Sequence, residues 1–297
     1  MSPVRSAHRI EYLVLKIHAA IVAVVDQFLI TCLGRNESPA EFRAQCGRVA
    51  GPADEPGLRA PGRSPVMSFP TLCGGAVLAG WLRVDAADEP SFNHWYAHEH
   101  LPDRVGVPGF LRGRRYAAVG SAPTSLLRFF TLYEVQEMAT FTSPSYLDRR
   151  RNPTEWTQRT DRVIRSVTRK EYRVTHSSGR GTGGFLATVR FEPDRRGTNA
   201  LRSWISQTLI PRMLEDPRVL SVHLCEAAAD GRSPSGEKAP ESWLLMVEAS
   251  HEVALEAANI MAYSDFPADL RGAGGAVIAE HFRLLASLSS GDRFPHE

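Results

Sequence analysis

Ionisable and aromatic side chains are concentrated in one stretch, Phe92 to Tyr116, which reads FNHWYAHEHLPDRVGVPGFLRGRRY. Imidazole titrates near neutrality, so His98, held on an otherwise apolar helix face, is the candidate general acid or base. The face is read from Trp95, Leu101 and Val105, whose spacing makes a sheet-facing stripe that includes His98. A buried imidazole needs partners, and the plain alternative is a histidine hydrogen-bonded to hold helix to sheet. His94 and His98 stand at i and i+4, a spacing that permits chelation, with Glu99 and His100 close by. No third ligand in H-E-x-x-H order or distant His-x-x-x-His accompanies them, so no metal and no cofactor are expected.

Further along the stretch, Arg112, Arg114, Arg115 and Tyr116 fall on a strand. Alternation puts Arg112, Arg114 and Tyr116 on one face and Arg115 on the other. One of the two sets would face a cavity and hold an anionic or phenolic substrate; the other reading pairs these arginines with acidic neighbours such as Glu134 and Glu248. The sequence leaves open which face is which. Trp81, Phe92, Trp95 and Tyr133 would suit a cyclic or aromatic ligand, and Trp95, Arg112, Arg114, Tyr116 and Tyr133 form the expected binding set.

The elements that position these groups occur twice. Trp95 returns as Trp204, Leu101-Pro102 as Ile210-Pro211, Val105 as Leu214, Pro108 as Pro217 and Phe110 as Val219. A repeat of this length is one folding unit whose apolar face its neighbour covers. The first unit reads as a strand over Gly75 to Val84, a helix from Phe92 to Val105 that must kink or restart at Pro102, strands over Phe110 to Val119 and Leu126 to Val135, an interrupted helix from Met138 to Ser166 and a strand over Val167 to Thr175. After a Gly- and Ser-rich linker the second unit gives strand Phe185 to Phe191, helix Ala200 to Glu215, strands Val219 to Glu226 and Trp243 to Ala249, helix Glu252 to Ala262 and strand Ala276 to Leu288. The loop from Ala227 to Glu241 reads as a surface insertion. This β-α-β-β-α-β order is the ferredoxin-like motif, with a bare sheet face in each unit. The fold class expected is α+β, with tandem ferredoxin-like repeats whose two four-stranded antiparallel sheets face each other as a single-chain pseudo-dimeric barrel, helices outside.

Trp95, His98, Glu99, His100, Leu101, Pro102, Arg104, Val107, Pro108, Gly109, Phe110, Arg115 and Tyr116, followed by Leu132-Tyr133-Glu134, resemble the dimeric α+β barrel superfamily and, within it, the EthD-like group. The resemblance covers about Gly75 to Tyr172; the second unit is similar in outline, without the helix histidines. It implies the barrel fold. It also implies small-molecule degradation by a cofactor-independent enzyme or a small-molecule binder acting on a cyclic or aromatic metabolite. A non-catalytic barrel serving as an interaction or stress-related scaffold is the competing class. Because His98 aligns with Gln207 and His100 with Leu209, proton transfer is expected in the first unit alone.

Composition sets the outer limits. The 297 residues are 43% hydrophobic and 23% charged, enough for two domains with real cores. Lys plus Arg is 35 against 33 for Asp plus Glu, and the basic residues are scattered, so no nucleic-acid footprint is indicated. Cys32, Cys46, Cys73 and Cys225 have no disulfide-like spacing, which suits a reducing, cytoplasmic setting. Ile10 to Phe28 carries one helical apolar stripe, but Lys16 and Asp26 interrupt it, so no membrane span is expected. The domain reading is an N-terminal extension over residues 1–66, with a helix followed by a disordered linker and Met67 as an alternative start, then a first repeat over 67–178 and a second over 179–297. The chain is expected to act as a monomer with an internal pseudo-dimer, or as a weak homodimer. Phosphate loops, dinucleotide fingerprints and serine-nucleophile elbows are absent from the sequence.

Overall fold

Eight strands close into one antiparallel barrel in the computed structural model, which describes residues 71–120, 125–193, 197–227, 242–256 and 277–292. The expected N-terminal helix and linker, most of the Ala227 to Glu241 loop and the second half of the Glu252 to Ala262 helix lie outside the described residues.

In the first half, β1 (Ala76–Asp85) leads into a helical segment made of α1 (Glu89–Trp95), a π-turn (Tyr96–His100) and α2 (Leu101–Val105). Then come β2 (Phe110–Ala118), β3 (Leu126–Val135), α3 (Pro144–Arg151), α4 (Glu155–Thr160) and β4 (Ile164–Gly179). The expected helix from Met138 to Ser166 breaks at Ser143-Pro144 and Asn152-Pro153, because proline supplies no amide donor. Ser143 and Thr154 instead cap the helices that follow, accepting from the Tyr146 and Thr157 amides. The second half repeats the plan with β5 (Phe185–Phe191), α5 (Thr198–Trp204), a π-turn (Ile205–Leu209), α6 (Ile210–Met213), β6 (Val219–Ala227), β7 (Trp243–Ala249) and β8 (Ile278–Ser289). Residues 252–256 are helical.

Around the barrel the order is β1-β3-β2-β8-β5-β7-β6-β4. Each half keeps its own four-stranded ferredoxin-like sheet, and β2 pairs with β8 and β4 with β6 to close the ring. The sequence reading had the sheets facing each other; the structure also pairs their edges. Closure leaves no sheet edge unsatisfied. It is made possible by the length of β4, 16 residues, whose first part pairs with β1 and whose last part pairs with β6. Ser177, Ser178 and Gly179, expected in a linker, therefore belong to this strand.

Strand alternation divides the core into three. Val77, Ala79, Trp81, Phe130, Leu132, Met246 and Phe282 fill the barrel lumen. Outside, the first-half helices bury Phe92, Trp95, Tyr96, Leu101 and Val105 against Leu78, Phe129 and Tyr133. The second-half helices bury Leu201, Ile205, Leu209, Ile210 and Met213 against Leu224, Leu245 and Val247. Helix α2 rests directly on β2, since a Cβ at Gly113 would meet Leu101 Cδ1 at 2.5 Å and Val105 Cγ2 at 2.9 Å. Gly109, at φ 90°, makes the turn that brings the chain from α2 into β2. Among the described residues no helix is long and apolar enough to cross a membrane.

Candidate functional site

Pro102 decides which histidine faces the sheet. Its nitrogen carries no hydrogen, and its ring would clash with the carbonyl one turn earlier in a regular helix. The chain meets this with a π-turn, in which the Leu101 amide donates to the Tyr96 carbonyl, five residues back. The second half does the same ahead of Pro211, with the Ile210 amide donating to the Ile205 carbonyl. One extra residue per turn rotates everything between Tyr96 and Leu101.

The expected placement of His98 on the sheet-facing stripe is therefore corrected. His98 is exposed, as is its counterpart Gln207. Its Nδ1 donates to the His94 carbonyl at 2.9 Å, and its ring meets the His94 ring edge-on at 4.5 Å. His100, half-buried, turns its ring inward instead. Its ring lies 4.4 Å from Trp95 and 5.0 Å from Tyr96, centroid to centroid, with Tyr133 at 6.3 Å. The signal was present in the sequence, because His100 aligns with Leu209, which is 2% exposed in the second-half core.

The surroundings of His100 are cationic and phenolic. Burial first, then the charges of Arg104, Arg169 and Arg115, hold its imidazolium pKa well below the ordinary value, so the ring is neutral. Tyr96 Oη and Tyr133 Oη share a hydrogen bond of 2.7 Å, and burial pushes the pKa of both phenols up, that of Tyr133 well above its ordinary value. Arg115 is caged: its guanidinium lies 4.7 Å from the Phe92 ring and 4.6 Å from each of the Tyr96 and Phe129 rings, and it donates to Asn93 Oδ1 at 2.6 Å. Burial lowers its pKa to about 10, so it remains a cation at neutral pH. Arg104 has a buried Nη1 that no described group accepts from.

Glu99 fixes the helix bearing these groups. Its Oε1 accepts from Trp95 Nε1 at 3.1 Å, Thr154 Oγ1 at 2.6 Å and Thr157 Oγ1 at 2.8 Å, tying α1 to the N-terminus of α4. Burial raises its carboxyl pKa, but these hydrogen bonds outweigh that and lower it.

The open question about β2 has a clear geometric answer. Arg112, Arg114 and Tyr116 turn into the barrel lumen, and Arg115 turns toward the helices. Glu134 accepts from Arg112 Nε at 2.7 Å and Nη2 at 2.8 Å, and lies 3.0 Å from Arg114 Nε. Arg114 Nη1 reaches across to Glu248 in the second half at 2.8 Å, and His223 Nε2 lies 3.1 Å from the same carboxylate oxygen. His223 Nδ1 lies 2.9 Å from Ser177 Oγ. Of the expected binding set, the structure brings Trp95 and Tyr133 together with His100 and places Arg112, Arg114 and Tyr116 in this lumen network, on the far side of the sheet. Among the described residues no group of three histidine, cysteine, aspartate or glutamate side chains could hold a metal ion.

No protein-family model matches the chain, and no curated protein matches it. Solved structures do. An anthrone oxidase-like protein is similar with a TM-score of 0.54 at 9% identity, over 76% of this chain and 98% of that one. A provisionally named monooxygenase from Lactobacillus acidophilus gives 0.48 at 7% identity, over 73% and 97%. A chlorite dismutase variant from Candidatus Nitrospira defluvii gives 0.44 at 10%, over 70% and 92%. At such identities the likeness shows the fold alone: this chain has the fold of the dimeric α+β barrels, with both halves of the barrel in one polypeptide.

Proposed function

We propose that this single-chain barrel binds a small cyclic or aromatic molecule between the first-half helix and its sheet, and acts on it by proton transfer to His100. The observation that carries this reading is the neutral, inward-turned His100 ring, set against Trp95 and Tyr96 beside the Tyr96–Tyr133 hydroxyl pair. A neutral imidazole has a free lone pair for an acidic O–H or activated C–H of the ligand. One proton passes from ligand to imidazole, and the anion left behind is stabilised by the charges of Arg104, Arg115 and Arg169, the groups that disfavour the imidazolium. The EthD-like resemblance of Trp95 to Tyr116 supports small-molecule degradation, and a neighbour named for an aromatic compound, anthrone, supports an aromatic ligand. Because one chain closes its own barrel, no second copy is needed to build the site.

The test is unbiased consumption: purified protein is incubated with a metabolite extract and followed by mass spectrometry, with His100→Gln and His98→Gln alongside. His100→Gln is expected to lower turnover by roughly 100-fold or more, the usual worth of a general base, with His98→Gln close to parent. The reverse result would return the acid-base role to His98. Consumption of nothing by the parent would favour the non-catalytic scaffold.

A further inference from the structure

A cleft of about 670 Å³ opens on the helix side of the first-half sheet, between the 138–151 segment and β4. Its volume is that of a small-molecule site, within the roughly 300 to 1,000 Å³ such sites occupy. Leu78 supplies apolar floor, Tyr146 a wall, and Arg150, Arg169 and Glu171 the charged lining. Arg150 and Arg169, two cations against one carboxylate, leave the cleft positive; Lys170, the register partner of Ala79, turns its side chain to the lumen face. Arg150 lies 5.7 Å over the Tyr146 ring. Arg169 makes no hydrogen bond or ion pair among the described residues, so its guanidinium fork is available to a ligand. Leu78 is the register partner of Tyr133, which puts the cleft beside the tyrosine pair, and the charge of Arg169 also acts on His100, Tyr96 and Tyr133.

We infer that this cleft is the specificity subsite of the proposed proton-transfer site and selects substrates that are aromatic acids, with a carboxylate held by Arg169 and assisted by Arg150 while the ring lies on Leu78 and Tyr146. The inference rests on the proposed function only in assuming that cleft and His100 serve one ligand. A guanidinium reads a carboxylate through two parallel N–H donors, which a hydroxyl cannot accept in the same way. Placing an anion there would also keep the ligand's negative charge beside the cations that stabilise a second, developing anion.

Two matched probes, 2-naphthoate and 2-naphthalenemethanol, share a ring and differ in charge. Their dissociation constants are measured by calorimetry for the full chain, at low salt and again in high salt. The naphthoate is expected to bind roughly tenfold or more tightly than the alcohol, with the ratio shrinking as salt screens the exposed cations. Arg169→Gln should bring the ratio to within about threefold, and Arg150→Gln should lower it less. Both residues are exposed, and matching melting curves exclude unfolding as the cause. Equal affinities in the parent, no binding of either probe, or an unchanged ratio in Arg169→Gln would each overturn the inference. His100→Gln separates the two claims: a preserved naphthoate preference with lost turnover supports both, whereas a preserved preference with undiminished turnover overturns the proton-acceptor reading and leaves the subsite standing.

Discussion

An imidazole among three guanidinium groups cannot hold a proton cheaply, and a carboxylate between an arginine and a histidine cannot easily gain one. His100 is the first case and Glu248 the second. Glu248 is 1% exposed; burial raises its pKa, but Arg114 and His223 reverse that and leave it at about 2, against an ordinary 4.5. Since the folded pKa is the lower one, the unfolded chain takes up the proton first. The stabilisation is thus complete above about pH 4.5 and is lost as pH falls toward 2. A shift of that size corresponds to about 3 kcal/mol. Glu248→Gln is expected to lower stability at neutral pH by about 3 kcal/mol, because it leaves Arg114 to share the Glu134 carboxylate with Arg112, and to flatten the loss of stability below pH 4.5. Urea denaturation at neutral pH and near pH 3 reads both effects. Parallel losses on acidification in parent and variant would show that Glu248 is not the titrating group. At this scale the sequence was legible for partners: Glu134 and Glu248 hold matching strand positions and pair with the β2 arginines. It was not legible for His98, because a spacing of three and four assumes a regular helix.

The π-turn is what breaks that assumption. In both halves the backbone hydrogen bond steps by five across it, from Leu101 back to Tyr96 and from Ile210 back to Ile205, and Pro102 and Pro211 lie just past its end. A proline inside an apolar stripe signals an interruption, as read from the sequence; whether the helix kinks, restarts or widens depends on packing that no local pattern encodes. Here the packing is the contact of α2 with β2 over Gly113. Gly113→Ala would set a methyl group 2.5 Å from Leu101 Cδ1 and 3.0 Å from Tyr133 Cε1. We expect a loss of about 1 to 3 kcal/mol, read as a fall in melting temperature of roughly 2 to 4 °C per kcal/mol. An unchanged melting temperature would mean that α2 rides clear of the strand, and the inward seat of His100 would lose its support.

For the whole molecule, duplication made the fold legible, because two copies of one apolar and proline skeleton define two equivalent units before any strand is paired. The edge pairing of β2 with β8 and β4 with β6 was not, since it depends on strand lengths and bulges, such as the register shift between Val174 and His176, that have no marked residue pattern. Duplication also exposes the asymmetry on which the proposed function turns. The inward position of the π-turn is Leu209 in one half and His100 in the other, so the fold repeats the scaffold and supplies the imidazole once. Site-resolved NMR titration of the histidine ring protons in the intact protein, with His100 identified by the signal missing from His100→Gln, tests this most directly. The account predicts that the His100 ring stays neutral well below pH 6.5 while the fold is intact. A His100 that protonates at or above 6.5 would contradict the account, since that ring would be solvated and would not face the phenols and arginines of the proposed site.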